Sequence, residues 1–281
     1  MSGILYVVAT PIGNLEDVTL RALRVLREVA LIAAEDTRRT GRLLQHYSIS
    51  TPTTSLHEHN EHSKSARLIS RLRGGESIAL VSDAGTPLVS DPGARLVALA
   101  HEAGVRVEPI PGPSAVMAAL SAAGFEGPLV HFAGFPPTKG SARADWFARA
   151  RQLAGILVLY EAPHRIRDTL ADLMEAVGDQ PAAVGRELTK AHEELVVRPI
   201  SEHLERLGEP RGEYTVVVRL ASEARRQAEI PDDPELLAEF GHMTKSWTGD
   251  RRSLVTLLAG KYGTTARDIY SRIERGKKSA E

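Results

Sequence analysis

Three turn-rich segments combine proline, glycine and small polar residues in a way that suits close contact with a ligand. They are residues 10–14, residues 82–87 continuing to 90–93, and residues 111–115. Glycine lets a ligand approach the main chain closely, and the hydroxyl of Ser114 can cap the start of a helix. Each segment alone could be an ordinary tight turn. Three of them, each after an apolar strand-like run, predict a binding cleft.

Two glutamates in the second half of the chain could act as general bases. Glu161 and Glu187 each follow a predicted strand, and Arg165 and Lys190 come shortly after them. A carboxylate in such a position can accept a hydroxyl proton, and a neighbouring cation can neutralise a phosphate. The same residues could instead form a structural ion-pair cluster, and the sequence alone does not separate the two interpretations.

Three histidines within six residues, His57, His59 and His62, suggest a metal site together with two intervening glutamates. Their spacing disfavours it, because two zinc-ligating histidines on one helix are normally four residues apart. We therefore expect a polar loop beside the cleft and no metal. No Gly-x-Gly-x-x-Gly follows the first apolar run and no P-loop pattern occurs, which disfavours dinucleotide-dependent dehydrogenases and P-loop enzymes.

The composition narrows the chemistry further. The chain contains no cysteine, which excludes disulfides, thiolate nucleophiles and cysteine-bound metals. No apolar run approaches the ~20 residues of a membrane helix, and residues 1–10 lack the features of a signal peptide. We therefore expect a cytoplasmic protein with no membrane partner.

Charge is distributed unevenly along the chain. The formal net charge is -1, but residues 241–281 carry nine basic and four acidic residues, whereas residues 222–240 carry two basic and six acidic ones. A basic segment after an acidic one suggests contact with a polyanion, although ordinary solvated helices can carry as many charges.

The alternation of apolar patterns predicts the elements that hold the three turn-rich segments. A continuous apolar run at residues 4–10 is typical of a strand buried on both faces. Strand and helix patterns then alternate, which predicts a parallel sheet with helices on both faces. Further strands are predicted at 31–34, 77–81 and 105–109, and helices at 20–30, 39–47, 63–73, 94–103 and 114–123.

A second α/β unit is predicted after glycine and proline punctuation near residues 124–128. We expect an N-terminal α/β domain at 1–124, a C-terminal α/β domain at 125–221 with a cleft between the two, and a linker with a short, helical, basic extension at 222–281. In the second unit, strands are predicted at 129–132, 156–160, 182–185, 195–199 and 214–220, and helices at 142–153 and 165–177. In the extension, we predict a linker at 222–234 and helices at 252–259 and 265–275.

Eight segments, taken in order, are specific enough to identify a family. They resemble the successive motifs of the ribosomal RNA small subunit methyltransferase I family, in the tetrapyrrole-methylase-like class III of S-adenosylmethionine-dependent methyltransferases. The resemblance covers roughly residues 4–220 and weakens at 244–253, where the family usually has a lysine- and alanine-rich helix pair. The segments are residues 6–14, 35–38, 59–61, 81–93, 112–115, 134–135, 160–165 and 185–190.

The resemblance implies a homodimer that holds S-adenosylmethionine in the cleft between two α/β domains. It also implies 2′-O-methylation of a cytidine ribose in the decoding region of small-subunit (16S) ribosomal RNA, with the small subunit or its RNA as the partner. Carried over motif by motif, the residues expected to contact the methyl donor are Ile12, Asp83, Ala84, Gly85, Thr86, Ser114, Ala115, Tyr160 and Thr215.

Methyl transfer from a sulfonium is an in-line displacement, so catalysis should come mainly from alignment of the acceptor oxygen, the methyl carbon and the sulfur. A ribose hydroxyl also has to lose its proton. We expect Glu161 or Glu187 to assist as general base, beside Lys190 as a further catalytic residue. The residues expected to contact RNA are Arg38, Asn60, His164 and Arg165.

Three other functions stay open at this point. A methylase acting on a tetrapyrrole carbon would share the fold, because fold does not fix the acceptor. The basic C-terminal segment would suit a non-catalytic RNA-binding protein. The histidine cluster would be needed for a metal-dependent hydrolase.

Overall fold

The first apolar run lies in a parallel sheet. The computed structural model describes residues 2–220, 231–246, 250–262 and 264–280. All neighbouring strands of this sheet are parallel, in the order β3-β2-β4-β1-β5. The predicted parallel sheet is thus confirmed. Its strands are β1 (Ile4–Val8), β2 (Leu31–Ala34), β3 (Thr53–Ser55), β4 (Ile78–Val81) and β5 (Arg106–Ile110).

Helices cover both faces of this sheet. Successive residues of β4 alternate between two cores: Ile78 packs with Leu68 and Leu96, whereas Ala79 packs with Leu23 and Leu26. Alternation along a strand places neighbouring side chains on opposite faces, so one pair of helices covers each face. The helices of this half are α1 (Leu20–Glu28), α2 (Thr37–His46), α3 (Glu61–Arg73) and α4 (Ala94–Glu102).

The second sheet is mixed rather than parallel. Its order is β6-β7-β10-β8-β9; β6 and β7 are parallel, and every other neighbouring pair is antiparallel. The strands are β6 (Val130–Phe132), β7 (Gly155–Glu161), β8 (Pro181–Arg186), β9 (Glu194–Pro199) and β10 (Tyr214–Leu220), accompanied by the helices α6 (Gly140–Gln152), α7 (Ile166–Val177) and α8 (Ile200–Arg206).

The helix α5 (Ala115–Ala123) joins the two sheets. The sequence pattern suggested that it is the last helix of the first half, but its buried residues Val116, Ala119 and Ala123 pack against β7, β8 and β10. These residues are three and four positions apart, so they share one helix face. The turn-rich segment 111–115 therefore runs from the first sheet directly to the second.

The C-terminal residues form three helices around a separate apolar core. They are α9 (Asp233–Ser246), α10 (Arg251–Lys261) and α11 (Ala266–Ala280), and their core includes Phe240, Leu258 and Ile269. The predicted helix at 252–259 lies within α10, and the one predicted at 265–275 begins one residue before α11. Residues 222–230 of the predicted linker lie outside the described residues, and its last residues begin α9. Within the described ranges, we find no helix with the length and apolarity needed to cross a membrane.

Three short or polar elements escaped the sequence analysis. The strand β3 has only three residues, Thr-Thr-Ser, and therefore no apolar alternation. The helix α8 has seven residues, too few for a clear helical period. The helix α9 contains Pro234 in its first turn, a position where proline is tolerated because no intrahelical N–H bond is lost there.

Candidate functional site

A cavity of about 370 Å³ lies where loops of the first sheet meet β7 and β10 of the second. Its walls include residues from all three turn-rich segments, which the fold brings together from positions more than 100 residues apart in the chain. Of the nine residues expected to contact a methyl donor, eight line this cavity. They are Ile12, Ala84, Gly85, Thr86, Ser114, Ala115, Tyr160 and Thr215.

Hydrogen bonds hold the three loops against one another. The N–H of Thr10 donates to the carbonyl of Gly85 over 2.9 Å, and the N–H of Gly85 donates back over 3.0 Å. The hydroxyl of Thr86 donates to the carbonyl of Pro113 over 3.1 Å. Gly85 has a φ of +78°, and an added Cβ would lie 3.3 Å from Ile12 Cγ2. Glycine is therefore needed there for its backbone conformation and for the close approach of the loops.

The opposite wall of the cavity comes from the second sheet. Tyr160 is the penultimate residue of β7 and lies opposite Thr215 of β10. Its ring packs against Phe132 and Phe135 at centroid distances of 5.1 and 5.4 Å. Burial raises the pKa of Tyr160, and the nearby Asp91 carboxylate adds to this. The phenol is therefore protonated at neutral pH and can donate a hydrogen bond.

Glu161 lies at the cavity but its carboxylate is already fully engaged. The residue is 1% exposed. Its carboxylate accepts hydrogen bonds from the N–H of Ala162 over 2.8 Å and from the hydroxyl of Thr169 over 2.5 Å, and it forms a 3.1 Å ion pair with Arg165. Arg165 also donates to the carbonyl of Pro136. The pair consequently orients the turn between β7 and α7.

Glu187 and Lys190 form a second ion-pair cluster at the rim. Lys190 Nζ lies 2.8 Å from Glu187 Oε1 and 3.0 Å from Glu213 Oε2. The hydrogen bond from Lys190 lowers the pKa of Glu187 despite partial burial. Burial opposes the charge on Lys190, but the two carboxylates prevail and raise its pKa. Lys190 and Glu213 line the cavity, whereas Glu187 lies behind them.

Asp83 does not line the cavity and instead ties two loops together. Its Oδ1 accepts from the N–H of Asp36 over 2.8 Å, and its Oδ2 lies 3.5 Å from Arg39. Asp36 in turn caps α2 and pairs with Arg38 over 2.7 Å, and that hydrogen bond lowers the pKa of Asp36. The side chain of Arg38 is 88% exposed, so its guanidinium can still reach a phosphate.

The remaining residues expected to contact RNA lie outside the cavity walls. Asn60 precedes α3, where its Oδ1 accepts from the N–H of His57 over 3.0 Å and its Nδ2 lies 2.9 Å from the His57 ring. His164 is exposed in the turn after β7. Across the residues that the structure describes, no three metal-ligating side chains converge, His57, His59 and His62 included.

Asp91 is a cavity residue that the sequence analysis did not single out, although it lies within the turn-rich segment 90–93. It is half-buried in the wall, beside Val89 and Ser90. Burial raises the pKa of Asp91 to about 6, and the carboxylates of Glu35 and Asp83 add to the effect, while a hydrogen bond from Ser82 opposes it. Nothing in the spacing of the sequence showed that this carboxylate, rather than Asp83, faces the cavity.

Comparison with known proteins identifies the family. The family model of the tetrapyrrole (corrin/porphyrin) methylases matches residues 4–203. The ribosomal RNA small subunit methyltransferase I of Pseudomonas aeruginosa is 52% identical over 202 residues, which cover 72% of each chain. The protein of the same name from Micromonospora olivasterospora is 43% identical over 284 residues, covering 94% of this chain and 91% of that one. The chain belongs to the ribosomal RNA small subunit methyltransferase I family.

Comparison with solved structures shows that this chain has the tetrapyrrole methylase fold. Diphthine synthase superposes with a TM-score of 0.62 at 16% identity, covering 78% of this chain and 90% of that one. Uroporphyrin-III-C-methyltransferase from Thermus thermophilus superposes with a TM-score of 0.55 at 22% identity, covering 77% and 94%. At such low sequence identities, the likeness shows a shared fold and does not indicate which molecule accepts the methyl group.

Proposed function

We propose that this protein transfers the methyl group of S-adenosylmethionine to the 2′-hydroxyl of a cytidine in the decoding region of 16S ribosomal RNA. The observation that carries the proposal is the cavity of about 370 Å³, because eight of the nine residues expected to contact the donor line it in a chain of this family. With a ribosomal acceptor, we also propose a cytoplasmic location.

The walls of this cavity suit the donor. Its volume falls in the range of small-molecule sites, ~300–1,000 Å³. The walls contain apolar side chains such as those of Ile12 and Val89, and also Gly85 of a loop and Ala115 at the start of α5. An adenosine ring needs apolar walls, and its polar edges need main-chain partners. When bound, the donor supplies an electrophilic methyl carbon on a sulfonium.

The residues of this chain then contribute orientation and charge. The loops hydrogen-bonded through Thr10, Gly85 and Thr86 hold one side of the ligand in a fixed place, which favours in-line geometry. The protonated phenol of Tyr160 can donate a hydrogen bond from the other side. The exposed Arg38 can neutralise a backbone phosphate of the RNA.

Donor binding in this cavity is tested by filling it. Ala115→Trp places an indole in the wall at the start of α5, and Ala142→Trp places one on the exposed face of α6 as the matched control. We expect calorimetry to show loss of S-adenosylmethionine binding for Ala115→Trp and unchanged binding for the control. Equal binding by both variants would mean that the donor binds elsewhere.

The C-terminal helices offer a surface for the RNA. A groove of about 480 Å³ between α10 and α11 is lined by Arg251, Arg252, Arg267, Tyr270 and Lys277 together with one glutamate and four further apolar or aromatic residues. Among the described residues, Arg252 and Arg267 form no ion pair, and Tyr270 is 59% exposed. Unpaired guanidinium groups contact phosphates, and an exposed aromatic ring can stack on a base.

This RNA contact is tested by charge reversal. We expect Arg267→Glu to weaken binding to small subunits and to reduce the salt dependence of the binding constant by about one phosphate contact. The control is Arg149→Glu, an exposed position on α6. If both variants bound as tightly as the wild-type protein with the same salt slope, the groove would not contact RNA.

The exposed edge of the second sheet supports a homodimer. Leu129, Val130 and Phe132 at the edge strand β6 are 54%, 47% and 37% exposed, and Phe135 beyond it is 52% exposed. Apolar side chains gathered at an unpaired strand are normally covered by a partner. We expect sedimentation to show a dimer and Val130→Lys to be monomeric. A monomeric wild-type protein at micromolar concentration would contradict this assembly.

A further inference from the structure

The carboxylates around the donor cavity differ in their freedom to accept a proton. Glu161 is buried, and its carboxylate oxygens accept hydrogen bonds from Ala162 and Thr169 and form an ion pair with Arg165. Glu187 is held by Lys190, which lowers its pKa and makes it a weaker base. Both residues expected from the sequence to act as bases are thus committed to structural contacts.

Besides Glu161, the carboxylates in the cavity wall are those of Glu213 and Asp91. The side chain of Glu213 is 75% exposed and pairs with Lys190, so it resembles an ordinary surface carboxylate. Among the ion pairs of the described residues, none involves Asp91. Among the three carboxylates of this wall, Asp91 is the one that is half-buried and has no ion-pair partner among the described residues.

The groups facing Asp91 come from three parts of the fold. The carboxylates of Glu35 and Asp83 follow β2 and β4, and the phenol belongs to Tyr160, the penultimate residue of β7. The phenol of Tyr160 is neutral at pH 7, because burial raises its pKa. Burial raises the pKa of Asp91 to about 6, the carboxylates of Glu35 and Asp83 add to this effect, and a hydrogen bond from Ser82 opposes it. The carboxylate is therefore ionised at neutral pH and is more basic than a solvated aspartate, as general-base catalysis requires.

The backbone around Asp91 is held in place. Leu88 and Ser90 have φ values of +71° and +69°, left-handed conformations that residues other than glycine keep only when the surroundings impose them. The side chain of Glu61 accepts a hydrogen bond from the N–H of Gly93 over 3.2 Å. This support fixes the loop that carries Asp91, so its carboxylate is preorganised at the cavity wall.

We propose that Asp91 is the general base of the methyl transfer, an assignment that rests on the proposed function. The 2′-hydroxyl oxygen forms a bond to the methyl carbon while the carbon–sulfur bond breaks. The electron pair of the broken bond stays on sulfur, which gives neutral S-adenosylhomocysteine. The hydroxyl proton passes to the carboxylate of Asp91, so the sulfonium charge and the carboxylate charge disappear in the same step.

The test is single-turnover methylation of small subunits by the full-length protein and its Asp91→Asn variant. We expect the rate constant to fall by about 100-fold or more, the usual contribution of a general base, with S-adenosylmethionine affinity unchanged within about threefold. Asp145→Asn, an exposed change on α6, is the matched control. The wild-type kcat/KM for the donor should be highest near pH 8 and should fall tenfold for each pH unit below about pH 6. The kcat/KM of Asp91→Asn should not show this fall.

Three results would overturn the assignment in distinguishable ways. A wild-type rate for Asp91→Asn would show that positioning suffices without this base, while the proposed function stands. Loss of donor binding with an unchanged rate at saturating donor would make Asp91 a donor-binding residue. Absence of transfer by the wild-type protein, despite donor binding, would overturn the proposed function and the assignment together.

Discussion

Replacement of Asp91 by asparagine should stabilise the free protein while it slows methyl transfer. The structure raises the pKa of Asp91 from 3.8 to about 6. Each unit corresponds to ~1.4 kcal/mol, so the shift amounts to ~3 kcal/mol in favour of the protonated form. Because Asp91 is only half-buried, water screens part of this cost. We therefore expect Asp91→Asn to raise the free energy of unfolding by about 1–2 kcal/mol at pH 7.5.

The stability difference between Asp91→Asn and the wild-type protein should depend on pH. The folded protein binds the Asp91 proton more tightly than the unfolded chain does, so the cost to the wild-type protein develops between about pH 4 and 6 and is constant above that. Urea unfolding should therefore show a gap between variant and wild type at pH 7.5 that narrows toward pH 4. Equal midpoints at pH 7.5 would refute the reasoning, because the carboxylate would then carry no burial cost.

Three further predictions follow from contacts near the cavity. Arg165→Ala should lower the free energy of unfolding by ~3–5 kcal/mol in urea, because it leaves Glu161 buried and unpaired; a loss below 1 kcal/mol would contradict the buried pair. Gly93→Ala should lower it by ~1–3 kcal/mol, because φ is +119° and the new Cβ would lie 2.7 Å from Leu80 Cδ2; an unchanged melting temperature would exclude that backbone conformation. Dialysis against a chelator should leave the methylation rate unchanged when magnesium is restored for the ribosomal subunits, and a loss rescued only by zinc would indicate a metal-dependent step.

The central strands β2 and β4 of the first sheet were predictable because every one of their residues is buried. Continuous apolar runs such as Ile78–Val81 leave few alternatives to a central parallel strand. The loops at the strand ends were predictable for the same reason, since parallel strands direct their carboxyl ends to one edge. The mixed order of the second sheet was not, because antiparallel pairing of β10 with β7 and β8 depends on contacts between distant segments.

The sequence predicts which loops form the site, but it does not predict the role of each side chain in them. Sequence spacing places Glu161 at a strand end, but only the fold shows that Thr169, eight residues later, turns its hydroxyl onto that carboxylate. Likewise, Asp83 and Asp91 lie in one turn-rich segment, and packing decides which of them faces the cavity. Charge environment is a property of the folded neighbourhood, so the raised pKa of Asp91 has no counterpart in the local sequence.

The most direct test of the account is transfer of labelled methyl from S-adenosylmethionine to small ribosomal subunits that lack the modification, followed by nucleoside analysis. We predict label in 2′-O-methylcytidine, from a single position in the decoding region. Label in a base-methylated nucleoside, or no label despite demonstrated donor binding, would contradict the account and indicate a different acceptor on the same fold.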